Sequence, residues 1–233
     1  MKQIDNKELT IGEIVAIDFR AASIFKEAGI DFCCGGKKNL KQACREKGID
    51  PTLIESELIK LESTPQSQAN DYNNWELGSL CDYIVNTHHK FVLKTLPQLV
   101  TYTEKIASVH GERHPELFEV SNLFAIINKE LLQHLNNEEE VLFPAIKRAI
   151  ANNSSEAKAL IISEIKRMSG EHELAGGTMD KINEITNGYK VPANGCSTYQ
   201  VTFKLLQQFE DDLHIHVHLE NNIIYPKALN LTN

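Results

Sequence analysis

The sequence contains no apolar run approaching the ~20 residues needed to cross a bilayer. It also lacks the apolar/polar alternation of β-strands. Its first residues, Met1-Lys-Gln-Ile-Asp-Asn-Lys-Glu8, carry no apolar signal-peptide segment. Basic residues are in deficit, with 24 Lys and Arg against 32 Asp and Glu and a formal net charge of -8. A surplus of carboxylates argues against binding nucleic acid or an anionic membrane. A disulfide framework is missing too. The five cysteines are odd in number, and two of them, Cys33 and Cys34, are neighbours that cannot bridge without strain. Reduced thiols fit a cytoplasmic protein, which is the expected location.

What remains is a chain of 233 residues, 42% hydrophobic and 24% charged, as in an ordinary globular protein, and its helical periodicity without a strand pattern leads us to expect an all-α fold. Short helices fill residues 1–62. Asp18 can cap a helix over 20–28 that stops at Gly29, with Ala21, Ala22, Ile24, Phe25 and Ala28 as its apolar stripe. Asp31-Phe-Cys33-Cys34-Gly35-Gly36 breaks the periodicity as a glycine-rich turn. Another helix covers 39–47 and ends at Gly48, and Asp50-Pro51 opens a third. Residues 63–74 are polar and aperiodic, as in a linker. Residues 75–233 then give four long helical patterns, at 76–109, 115–150, 155–185 and 197–229. Pro97 is expected to kink or break the first. Short polar connections favour antiparallel neighbours.

One repeat gives this bundle a chemistry. His134-Leu-Asn-Asn-Glu138-Glu-Glu-Val-Leu-Phe-Pro144 returns as His216-Val-His-Leu-Glu220-Asn-Asn-Ile-Ile-Tyr-Pro226. Each copy sets a His and a Glu four residues apart, about one helical turn, so both project from one face. The third helix offers His172 and the first offers His88 or His89. His89 keeps its distance to His134 close to the distance from His172 to His216, as in a duplicated hairpin; His88 points about 100° away. The candidate ligands are thus His89, His134, Glu138, His172, His216 and Glu220. Imidazole and carboxylate together suit first-row transition metals better than calcium or magnesium. Two glutamates can each bridge two ions, so iron is the expected metal, with manganese next.

Other residues carry weaker signals. Glu130 and Glu171 flank His134 and His172 and either hold their free ring N–H groups or sit on solvated faces. Gly176, one turn past His172, marks close helix packing or room for a small ligand. His214 and His218 lie ~200° from His216 and read as solvated or as supports of the ligands. His110 and His114 read as exposed, and Cys44, Cys81 and Cys196 as packing residues.

The His and Glu pattern resembles the hemerythrin-like di-iron fold. Oxygen-carrying hemerythrins have a further His where this chain has Gly176 and an Asp where it has Glu220, so simple oxygen carriage is not expected. With the turn Asp31-Phe-Cys33-Cys34-Gly35-Gly36-Lys37 included, nearly the whole chain resembles the repair-of-iron-centres family (RIC, ScdA/YtfE-type). The resemblance implies a small helical N-terminal domain (1–62), a linker (63–74) and an antiparallel hemerythrin-like four-helix bundle (75–233). It implies two iron ions, carboxylate-bridged with an oxo bridge as an option, held at the six positions named. It also implies a cytoplasmic, commonly homodimeric protein, induced by nitric oxide or oxidative stress, whose clients are damaged iron–sulfur proteins. Donation of iron is the expected activity, with Cys33 and Cys34 passing iron, taking electrons or touching the client; a helix dipole is expected to favour their thiolates. Two rival activities are reduction of nitric oxide at the same irons and sensing of oxygen or nitric oxide.

Overall fold

The computed structural model describes residues 9–62 and 71–232. They are almost wholly helical; among them no strand occurs, and Thr10 and Asn39 form one isolated bridge. Among these residues no helix is long and apolar enough to cross a membrane. Contacts divide the chain into two compact units, one of Met1–Leu80 with Ile215–Leu231, the other of Cys81–His214.

In the first unit lie α1 (Ile11–Ile17), α2 (Ala21–Glu27), α3 (Leu40–Lys47) and α4 (Pro51–Glu62). A capping box starts α1: the Thr10 side chain accepts from Glu13 N–H, and the Glu13 carboxylate accepts from Thr10 N–H at 2.8 Å. Asn39 caps α3, and Gly48 ends it in the left-handed region at φ 67°. Ahead of α2 the Asp18 carboxylate accepts from Arg20 N–H at 3.1 Å, and it is also held by the Arg20 guanidinium at 2.6 Å. Ile11, Val15, Phe25, Leu40 and Cys44 form the core here, each buried leucine or isoleucine contributing about 2 kcal/mol. The expected linker lies outside the described residues over 63–70. In its last residues Tyr72–Asn74 is a short 3-10 turn, and Tyr72 is buried edge-on against Phe19, ring centroids 5.3 Å apart.

The second unit is a helical bundle. Its first helix begins at Cys81 within α5 (Leu77–Ile84) and continues through a π-turn (Val85–His89) into α6 (Lys90–His110). The next runs as α7 (Glu116–Asn137), a π-turn (Glu138–Leu142) and α8 (Phe143–Asn152). α9 spans Ser155–Ile185, and α10 spans Ser197–Leu219. A last π-turn (Glu220–Ile224) and α11 (Tyr225–Asn230) follow α10 in the chain. Apolar residues at helical spacing face inward: Leu96, Leu99 and Ile106 on α6, Leu117, Val120, Phe124 and Ile127 on α7, Ile161, Met168 and Met179 on α9. Phe209 of α10 meets Phe124 edge-on at 5.5 Å. Pro97 neither breaks nor ends α6. It sits on the exposed side beside exposed Leu93, so the carbonyl left without a helical donor faces water.

Candidate metal centre

Each π-turn coincides with a candidate ligand. Glu138 opens the second, Glu220 opens the third, and His89 ends the first. For the second and third the cause is readable in the repeat. A proline ring collides with the carbonyl four residues back, here Glu140 or Asn222, and donates no hydrogen bond. The helix widens instead of breaking: Phe143 N–H bonds the Glu138 carbonyl and Tyr225 N–H the Glu220 carbonyl, five residues back. Pro144 and Pro226 then start α8 and α11 without strain.

Within the second unit His89, His134, Glu138 and His172 converge, all buried. His89 Nδ1 lies 2.8 Å from Glu139 Oε1, and His134 Nδ1 lies 2.7 Å from Glu171 Oε2. Each Nδ1–H therefore donates to a carboxylate, which leaves the Nε2 lone pair on the inner side. Both lone pairs face one atom: Glu138 Oε2 is 3.3 Å from His89 Nε2 and 3.4 Å from His134 Nε2. His172 Nε2 is 3.1 Å from His134 Nε2. Acceptors facing acceptors in a dry interior repel. Protonating the rings would instead bury imidazolium charges, at several kcal/mol each. A divalent cation among these atoms converts the repulsion into ligation, so the donor set fits a metal. Arg167 pairs closely with Glu171 and lies 2.5 Å from Glu164. The hydrogen bond from His134 holds the Glu171 carboxyl below its usual range. In the C-terminal segment of the first unit, His216 Nε2 lies 3.1 Å from Glu220 Oε1, and both residues are buried.

Residues 82–228 match the profile of the hemerythrin HHE cation binding domain. Residues 7–62 match that of an ScdA-type N-terminal domain, described as of unknown function. Similar along nearly the whole chain are proteins named iron-sulfur cluster repair protein YtfE. That of Dickeya chrysanthemi is 31% identical over 223 residues, 96% of this chain and 97% of the relative. That of Pectobacterium atrosepticum is 32% identical over the same shares. A Yersinia pestis relative is 31% identical over 226 residues, 97% of this chain and 99% of its own. The chain belongs to this hemerythrin-like YtfE family. A hemerythrin domain implies iron as the bound cation, and the buried imidazoles and carboxylates suit it.

The glycine-rich cysteine turn lies in the first unit. Asp31 organises it, accepting from Cys33 N–H at 2.8 Å and Gly35 N–H at 2.7 Å. Cys33 is buried, its Sγ 3.0 Å from Asp31 Oδ1, and Cys34 is half-buried. The expected thiolate is not favoured at Cys33. A hydrogen bond with Cys34, burial and the Asp31 charge push its thiol well up. Only a three-residue 3-10 turn, Gly35–Lys37, follows, so no helix dipole opposes them. The ligand atoms of Asp31, Cys33 and Cys34 lie within 4.8 Å of one another.

Several neighbours were not evident from sequence. Glu139 takes the His89 ring and follows the repeat glutamate directly. His88 is buried and bound to Asp212 at 2.9 Å. His218 is not solvated but fully buried, and burial pushes its imidazole down to about 4. Its Nδ1 is 3.4 Å from the Phe32 carbonyl and 3.2 Å from Asn222 Nδ2. Asn222 Nδ2 also reaches the Phe32 and Cys33 carbonyls at 3.4 Å each. Glu130, by contrast, lies beside Lys129 at 3.9 Å with its side chain 43% exposed. Gly176 is buried and Gly177 exposed.

Proposed function

We propose that this protein stores iron at a binuclear centre and donates it to damaged iron–sulfur clusters of client proteins. His89, His134, His172 and His216 would hold two iron ions, with Glu138 and Glu220 bridging them. The observation that carries this reading is the single oxygen, Glu138 Oε2, set between the Nε2 atoms of His89 and His134 at 3.3 and 3.4 Å. A carboxylate aimed at two imidazoles from different helices is suited to bridging. Its twin in the repeat, Glu220, is equally buried. The name shared by the relatives, iron-sulfur cluster repair protein, supports the clients.

The chemistry favours release. Imidazole and carboxylate bind ferrous iron less tightly than the thiolates of a cluster site, so transfer to the client is downhill. Glu139 and Glu171 orient the histidines that hold the cargo. Asp31, Cys33 and Cys34 offer a softer donor set for passage, which requires Cys33 to lose its proton as the turn opens. Nitric oxide or oxygen would bind beside buried Gly176, one turn from His172. The organisation is an ScdA-type domain over 1–62 and a metal-binding bundle over 75–233. Five free cysteines suit the cytoplasm, and a homodimer is the working assembly.

The test is metal analysis of anaerobically purified protein, paired with reactivation of an iron–sulfur enzyme whose cluster has been damaged. The unmodified protein carries iron and restores activity. His134→Ala and Glu220→Ala lose most of both, while the Cys33→Ala/Cys34→Ala double variant keeps its iron and restores less. An unmodified protein without iron, or ligand variants that match it, would sink the reading.

A further inference from the structure

The connection between α9 and α10 ends on Cys196, expected to be a packing residue. It is exposed instead. Its Sγ lies 3.2 Å from His110 Nε2, and the backbone N–H groups of Thr198 and Tyr199, in the first turn of α10, point at the same sulfur. The His110 ring is fixed by stacking on Tyr199, centroids 5.5 Å apart at 20°. His114, also expected to be merely exposed, packs on the same tyrosine at 5.9 Å, with its Nε2 3.2 Å from Asn194 Oδ1. Gly195 makes the approach possible, since a Cβ there would strike Val191 and the Tyr199 ring. Beside Tyr199 lies a cavity of about 260 Å³ lined by His114, Glu116, Asn187, Lys190 and Phe203 among others.

We propose that Cys196 and His110 form a hydrogen-bonded thiol–imidazole pair that takes up a low-molecular-weight thiol as a mixed disulfide, the cavity receiving the thiol's amino-acid end. The pairing is what a reactive thiol needs: a base in contact, helix N–H groups on the sulfur, and access. The hydrogen bond from His110, then that from Tyr199 N–H, pushes the thiol down to about 7. Lys190 and Glu116 give the cavity one charge of each sign, matching the carboxylate and ammonium of an amino-acid headgroup. The step balances with a small disulfide as oxidant. The Cys196 thiolate attacks one sulfur, a new S–S bond forms, the old one breaks, and the departing thiolate takes the proton from His110. Cys196 is oxidised and one half of the small disulfide is reduced. None of the six candidate iron ligands takes part, so this thiol chemistry stands or falls apart from the iron centre.

The experiment treats the whole protein with oxidised glutathione across pH 5.5 to 9 and reads the modified cysteine by peptide mass spectrometry. Cys196 forms the mixed disulfide with a midpoint near pH 7. At pH 7 its rate exceeds that of a free model cysteine by about threefold, the larger thiolate fraction being offset by lower nucleophilicity. His110→Gln moves the midpoint up by about a unit or more. Lys190→Met slows glutathione disulfide and leaves bis(2-hydroxyethyl) disulfide unchanged. A midpoint near 8.5, typical of a free thiol, or one indifferent to His110→Gln overturns the pair. Equal slowing of both disulfides by Lys190→Met overturns the role of the cavity.

Discussion

The two copies of the His-x-x-x-Glu repeat have the same local form and different surroundings. Each puts its His and Glu one turn apart, opens a π-turn at the Glu and resumes the α-helix at a proline. In the first copy, the positions two after the His and two after the Glu, Asn136 and Glu140, are exposed. In the second copy the same positions hold His218 and Asn222, and they meet the carbonyls of Phe32 and Cys33. Two residues along a helix is ~200° around it, so these positions lie on the face opposite the ligands. A duplicated motif can therefore keep its ligand face unchanged while the other face diverges. In one copy that face stays in solvent; in the other it grips the cysteine turn.

The strongest way to break the likeness is to remove the π-turn itself. Deleting Glu140, an exposed residue, takes out the residue that widens the helix. Everything after it then turns by ~100° relative to what precedes. Leu131 and Leu135 before Glu140 and Leu142, Ile146 and Ala149 after it are all buried, and both sets cannot stay so. Chemical denaturation of the metal-free protein should show a loss above about 4 kcal/mol. An unchanged midpoint would mean that the π-turn does not set the register of α8.

A smaller effect sharpens the difference between the copies. Gly12 on α1 approaches Asn222 so closely that a Cβ would collide with the carboxamide. In Gly12→Ala, Asn222 must withdraw and give up its hold on Phe32 and Cys33. The expected cost is about 1 to 2 kcal/mol, read as faster hydrogen exchange across α1 and the cysteine turn. Unchanged exchange there would show that the turn is held by something other than Asn222.

Much of this architecture was legible in the sequence, and the exceptions have physical causes. The 3.6-residue period placed the long helices, and α9 begins and ends where expected, at Ser155 and Ile185. The repeat prolines were visible, but their consequence was not. A proline six residues after the glutamate is the signal of a widened turn, since an unbroken α-helix would set its ring against a carbonyl. α1 was missed although Thr10 and Glu13 spell its capping box. Partners joined only by the tertiary fold left no local trace. Glu139 and His89 are 50 positions apart, and His110 and Cys196 are 86 apart. Residue types alone could not say which acid orients which imidazole, and they favoured Glu130 as much as Glu171.

The finest test replaces equivalent positions in the two copies, Asn222→Ala and Glu140→Ala. Asn222 offers one amide nitrogen to the Phe32 and Cys33 carbonyls and to His218, at 3.2 to 3.4 Å. These are long contacts, and together they are worth about one ordinary hydrogen bond, about 0.5 to 1.5 kcal/mol. His218 stands neutral in its buried place and then loses a neighbour that its Nδ1 uses. Glu140 offers nothing comparable: it is exposed, and alanine is the better helix former. Its replacement should stay within about 0.5 kcal/mol of the unmodified protein. Thermal denaturation of both metal-free variants, side by side, reads the difference as a shift of a few degrees for Asn222→Ala alone. Equal shifts would mean that the second face of the repeat contributes the same in both copies, and the asymmetry drawn between them would fail.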